Sequence, residues 1–167
     1  MYYNLQVHSA YDLLNSTIKY ESLFLKLARD NQKSVVIVDP NMYGAIKAHK
    51  ESKKAGINLI QGLEVNLGYG IGFLKFNILC KSEKMFYKLL EISTKFMNGE
   101  EWTVENFSSE MKEYSDDFVL IVVDELRDSM EFSYLNNLFS NYDFYFGFNE
   151  SFQVSPYGFY ENIVYTK

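Results

Sequence analysis

The chain is poor in the residues that make covalent cross-links and metal clusters. Its 167 residues include one cysteine, Cys80, and two histidines, His8 and His49. A lone cysteine excludes an internal disulfide and suits a reducing cytoplasm. No run of about 18 apolar residues occurs, so no segment reads as a membrane-spanning helix. No charged segment followed by an apolar run opens the sequence, which argues against secretion. The Asn-x-Ser/Thr sites at Asn15, Asn106 and Asn149 are therefore not expected to carry glycans. Bases are outnumbered by acids, 16 against 22, for a net charge of −6. Duplex binding rests on lysines and arginines that neutralise phosphates, so the chain reads as a poor autonomous DNA binder. Repeats, low-complexity segments and linkers are absent.

What is present is an ordinary globular composition, 47% hydrophobic and 23% charged. The length fits a single domain over residues 1–167. The 14 tyrosines and 14 phenylalanines read as an aromatic core; a base-stacking platform would need basic residues interleaved with them.

Strand and helix signals alternate. Tyr2 to His8 reads as a first strand, and Thr17 to Asn31 as a helix with Tyr20, Leu23, Phe24, Leu27 and Ala28 on one face. Val35-Val36-Ile37-Val38 is a β-branched run typical of a buried parallel strand. Asn41 reads as the N-cap of a second helix that Gly56 closes. Ile57 to Val65 and Phe73 to Cys80 read as strands around a glycine-rich turn. That turn, Gly68 to Gly72, lacks the spacing of a dinucleotide fingerprint. Ser82 to Phe96 is an amphipathic helix, Thr103 caps a shorter one, and Phe118 to Val123 is a further apolar strand. A helix around Phe132 to Phe139 and strands at Phe144 to Phe148 and Ile163 to Tyr165 complete the chain. The alternation predicts an α/β fold with mainly parallel strands.

Ligands in such folds gather at the C-terminal ends of strands. His8, Asp39, Glu64 and Asp124 with Glu125 stand at four predicted strand ends. His49 reads as a helix-surface residue and Cys80 as a small core residue.

Three segments, in order, resemble the opening of bacterial DNA polymerase III alpha subunits. Leu5-Gln6-Val7-His8-Ser9-Ala10-Tyr11-Asp12-Leu13-Leu14-Asn15 resembles that family's LHVHSxYSLLD. Asp39-Pro40-Asn41-Met42-Tyr43-Gly44-Ala45 resembles DHGNMYGA, one residue shorter. Lys53 to Val65 resembles KKAGIKPIIGCEV. A weaker match follows at Cys80 to Leu90, and residues 1 to about 95 carry the likeness. The resemblance implies an N-terminal PHP domain, an irregular (βα) barrel that is incomplete here, in a parent chain that continues past Lys167. In metal-competent members a Zn or Mn cluster sits at the strand ends and supports phosphoester hydrolysis.

Measured against that requirement, the ligand set is depleted. Gln6 stands where the resemblance expects histidine, Asn15 where it expects aspartate, Pro40 in the histidine's segment, and Lys75 near another expected histidine. His8 and Glu64 remain as vestigial ligands, with Asp39 a weaker candidate and Asp124 or Glu125 as stand-ins. The resemblance implies a catalytically inactive scaffold, at most one weakly held Zn or Mn ion, and no firmly bound cofactor. Implied partners are the polymerase body of the same chain and other replisome subunits, with DNA reached through the parent protein, no membrane, and a cytoplasmic location. An exposed hydrophobic patch is expected where the partner domain packs. Two rival readings are a small metal-dependent PHP phosphoesterase on His8, Asp39, Glu64 and Asp124, and an acidic interaction module using Asp39 as phosphoacceptor. The latter needs additional acids beside Asp39 and a positioned lysine, and no acid pair follows the first strand.

Overall fold

A computed structural model describes residues 5–124, 129–148 and 163–165. Six strands form one sheet in sequence order: β1 (Ser34–Asp39), β2 (Asn58–Tyr69), β3 (Gly72–Cys80), β4 (Phe118–Val122), β5 (Asp143–Phe148) and β6 (Ile163–Tyr165). The pairs β1/β2, β4/β5 and β5/β6 are parallel, while β3 runs antiparallel to both β2 and β4. The helices are α1 (Tyr20–Arg29), α2 (Ala45–Ala55), α3 (Glu83–Met97), α4 (Val104–Glu110) and α5 (Ser129–Leu138). The α/β reading therefore holds. The glycine-rich turn closes the β2–β3 hairpin, with Gly70 at φ 57°.

The sheet's two faces follow the period-two rule. On one face Leu63, Val65, Leu67, Leu74, Phe76, Ile78, Leu120, Val122, Phe144 and Phe146 join the buried side chains of α3, α4 and α5 in the main core. Phe139 sits at its centre, with ring centroids 5.1 to 6.2 Å from Phe76, Phe107, Tyr142 and Phe144. On the other face Val36, Val38, Leu79 and Ile121 form a separate buried cluster, flanked by Ile60, Val119, Val123 and Tyr145. These residues come from strands β1 to β5, so one apolar cluster runs across that face of the sheet. Gly62 lets its cross-strand neighbours meet there: a Cβ would lie 2.9 Å from Val38 Cγ2 and 3.0 Å from Leu79 Cδ2.

Several expectations shift. The first strand reduces, among the described residues, to one parallel bridge: Val7 N–H donates to Val36 O (3.1 Å) and Val38 N–H to Val7 O (2.9 Å). Helix α1 spans Tyr20–Arg29, shorter than predicted. Asn41 does not cap α2. The N-cap is Gly44, and Asn41 instead bonds within the preceding loop, accepting from Tyr43 N–H (3.1 Å) and donating to Tyr11 O (2.9 Å). Gly56 does close α2, at φ 67°. Ser82 and Thr103 cap α3 and α4, accepting from Met85 N–H and Asn106 N–H. Glu64 is not at a strand end, because β2 continues five residues past it into the hairpin.

The Asn-Met-Tyr-Gly segment has a packing reason. The stacked rings of Tyr11 and Tyr20 (centroids 5.5 Å apart) fill the space a Cβ on Gly44 would need, and that atom would collide with the Tyr20 hydroxyl. Met42 is buried, and its N–H donates to Ser93 Oγ of α3 (3.1 Å). Gly44→Ala is expected to lower unfolding stability by about 1–3 kcal/mol through overpacking. A urea titration that leaves the midpoint unchanged would refute this packing account.

Candidate metal centre

The loop after Val7 and the paired strands β2 and β3 bring together the residues singled out by sequence. His8 follows the bridge directly, and its ring lies between two carboxylates. Nδ1 is 3.0 Å from Asp12 Oδ2, and Nε2 is 3.8 Å from Glu64 Oε2. The Gln6 amide nitrogen is 3.0 Å from the same Nε2 and donates to it when that nitrogen is unprotonated. The Nε2 lone pair a metal would need is then already engaged, while Nδ1, although 3.0 Å from Asp12 Oδ2, makes no hydrogen bond among the described residues.

Glu64 faces a second partner. Lys75 on β3 is its diagonal neighbour across the hairpin and places Nζ 3.3 Å from Glu64 Oε1. One carboxylate oxygen thus meets an ammonium and the other an imidazole. Asp124, just beyond β4, accepts the Lys75 backbone N–H at 3.0 Å, and Val123 N–H donates to Lys75 O. This pins the backbone that carries the lysine. Asn77, in register with Glu64, is fully buried, and neither amide atom has a hydrogen-bond partner among the described residues.

Asp39 has a different setting. It is 1% exposed, and both oxygens are occupied. Oδ1 accepts Ser9 N–H at 2.7 Å, and Oδ2 accepts the Ser9 hydroxyl at 2.6 Å and the Tyr20 hydroxyl at 3.2 Å. Tyr11 N–H in turn donates to Ser9 Oγ (3.2 Å). Burial, aided by the Asp39 charge, pushes the Tyr20 phenol well above its ordinary value, so it remains a neutral donor. The carboxylate ties the end of β1 to the His8 loop and to the start of α1.

The structure therefore brings His8 and Glu64 together, engages Asp39 with hydroxyls, and turns Asp124 onto backbone. Glu125 lies outside the described residues. His49 is exposed on α2. Cys80 donates to Ser82 O at 2.9 Å, and burial raises its thiol pKa, as suits a packing residue. Among the described residues no group of three or more His, Cys, Asp or Glu is placed to hold a metal ion. The donors present do not fit a multinuclear cluster. Bridging two ions needs more open lone pairs than one shared imidazole and two carboxylates already facing Asn15 and Lys75 supply. Sequence reasoning missed Asp12, Ser9, Tyr20 and Asn77. Only Asp12 carried a local signal, four residues after His8.

Comparison with known proteins adds four findings. The family profile described as PHP domain matches residues 4–150. DNA polymerase III subunit alpha of Borreliella burgdorferi is 28% identical over 168 residues, covering 85% of this chain and 15% of that protein. The Mycoplasma genitalium subunit is 34% identical over 93 residues, covering 56% and 11%. The chain thus spans a small fraction of these relatives' length. A solved structure from Bifidobacterium adolescentis, described as a metal-dependent phosphoesterase, superposes with a TM-score of 0.58 at 9% identity over 81% of this chain and 74% of that one, a likeness of fold.

Proposed function

This chain belongs to the PHP domain family, and from that membership we propose that it is the N-terminal domain of a bacterial replicative DNA polymerase III alpha subunit, acting as a scaffold in place of a phosphoesterase. Residues 1–167 form one domain in this reading. Polymerisation of deoxynucleotides belongs to the remainder of the parent protein, which works in the cytoplasm with other replisome subunits and supplies the contact to DNA. The alignments with two polymerase alpha subunits support the parentage. Exposed Leu13, Leu14 and Ile18, on the loop after His8, suit a surface that packs against a polymerase body. Among the described residues no helix is long and apolar enough to cross a membrane.

The observation that carries the scaffold role is the Lys75–Glu64 contact beside the Gln6–His8 contact. Lys75 holds a fixed positive charge against the carboxylate that a divalent ion would need. His8 and Glu64 are vestigial ligands, with Asp39 reassigned to structure. A metal-dependent phosphoesterase with a reduced site is the competing reading, favoured only by the 3.8 Å approach of His8 to Glu64. With Mn or Zn added, the purified chain is expected to hydrolyse a chromogenic phosphodiester no faster than buffer containing the same metal. Turnover that disappears in both His8→Ala and Glu64→Gln would establish the competing reading instead.

A further inference from the structure

The loop between His8 and α1 turns two leucines into solvent while fixing their backbone. Leu13 is 78% exposed and Leu14 fully exposed. Leu14 sits at φ 72°, a left-handed conformation that strains a leucine. The rest of the loop holds it there. Asp12 O accepts the Asn15 N–H (3.2 Å) and the Ser16 N–H (3.1 Å), and Asn15 Nδ2 donates to Asp12 Oδ1 (2.9 Å). Ser16 Oγ donates to His8 O (2.7 Å), and Ala10 N–H donates to Ile18 O (2.8 Å) at the base of the loop. A strained turn that leaves both leucines exposed gains nothing from the domain's own core. It does hold both side chains in one arrangement, which lowers the entropy that a partner must remove.

Residues 13–18 read Leu-Leu-Asn-Ser-Thr-Ile and carry no charge. The tip has no base to meet a phosphate, so an apolar pocket on a protein is the partner it fits. Two leucines beside exposed Ile18 offer far less area than the roughly 1,200 Å² that a free-standing complex needs. A partner tethered in the same chain needs less, because the tether keeps its effective concentration high. This chain covers 15% of the Borreliella polymerase subunit, so on the scaffold reading most of the parent is such a tethered partner. The loop also carries Asp12, whose Oδ2 is 3.0 Å from His8 Nδ1. A body seated on the tip therefore lies over the rim of the His8–Glu64 site.

We propose that Leu13 and Leu14 are a preformed anchor on which the polymerase body of the same parent chain docks, closing the His8 rim to solvent. The proposal rests on the scaffold reading and names the contact that reading requires.

The test compares hydrogen–deuterium exchange in the full-length parent polymerase and in the isolated chain of residues 1–167. The Asn15 and Ser16 amides are expected to exchange at least about tenfold more slowly in the parent. The double variant Leu13→Ser/Leu14→Gly is expected to abolish that difference. In the isolated chain the same variant should leave the urea midpoint unchanged or raise it, since glycine takes φ 72° without strain. Equal exchange in parent and isolated chain overturns the anchor and leaves the parentage intact. So does protection that survives the double variant, or a midpoint that falls, which would place the leucines in the domain's own packing. Protection that arises in the isolated chain as its concentration is raised overturns it too, by assigning the tip to a second copy. A reading frame with no polymerase sequence after Lys167 overturns the scaffold reading itself, and the anchor with it.

Discussion

Asp39→Ala is expected to lower the unfolding free energy by about 4 kcal/mol, the largest single-residue effect in the site region. The change removes a buried charged acceptor and leaves three donors behind: the Ser9 N–H, the Ser9 hydroxyl and the Tyr20 hydroxyl. Two of them are side chains with almost no exposure, and water cannot replace the lost carboxylate without opening the loop. Asp39→Asn keeps the shape but sets an amide NH2 against one set of donors, and about half the loss is expected. Equilibrium urea unfolding of the three proteins measures this. A loss below about 1 kcal/mol for the alanine variant would mean that Asp39 is a spare ligand and not a structural tie.

The same network has a pH signature. Tyr20 has a folded-state pKa raised above its ordinary value of 10.0, chiefly by burial. A phenol with a raised folded pKa keeps its proton where the unfolded chain has begun to lose it. Its stabilising contribution is complete below pH 10 and declines as pH rises beyond it. Tyr20→Phe should flatten that part of the alkaline stability curve, and an unaltered slope would remove Tyr20 from the account.

The second large effect is a gain. The double variant Gln6→His/Lys75→His is expected to bind one Zn ion at least about a hundredfold more tightly than the natural sequence. The Gln6 amide nitrogen already lies 3.0 Å from His8 Nε2, and the Lys75 ammonium lies 3.3 Å from Glu64 Oε1. Imidazoles at these positions would exchange one competing donor and one competing cation for two metal ligands. Either single variant should gain less, because the remaining competitor still engages His8 or Glu64. Calorimetric titration at fixed pH reads the difference. Equal affinity in the natural and double-variant proteins would show that Gln6 and Lys75 do not limit metal binding.

The elements legible in the sequence are those whose signal is local. The β-branched run of β1 is buried nearly throughout. Ser82 announces α3, and Met85, Leu89 and Ile92 form its buried face at helical spacing. The close approach of Val38 and Leu79 over Gly62 is a contact between strands that no periodicity reports. The end of β2 was misplaced because Leu67 and Tyr69 extend it by pairing with β3. In the site, His8 and Glu64 were legible through motif resemblance. The fate of Asp39 was not. A carboxylate after an apolar strand reads the same whether it meets solvent, metal or the hydroxyls of Ser9 and Tyr20, which lie 30 and 19 residues away in sequence. Asn77 gave no warning either, since one amide inside Phe76-Asn77-Ile78 does not disturb a strand pattern.

The most direct test is metal stoichiometry. The natural chain, purified without chelator and equilibrated with Mn and Zn, should carry well under one tightly held ion after desalting, by elemental analysis and native mass spectrometry. Two or more ions per chain that survive desalting and vanish in His8→Ala would contradict the claim that Lys75 and Gln6 have displaced the cluster.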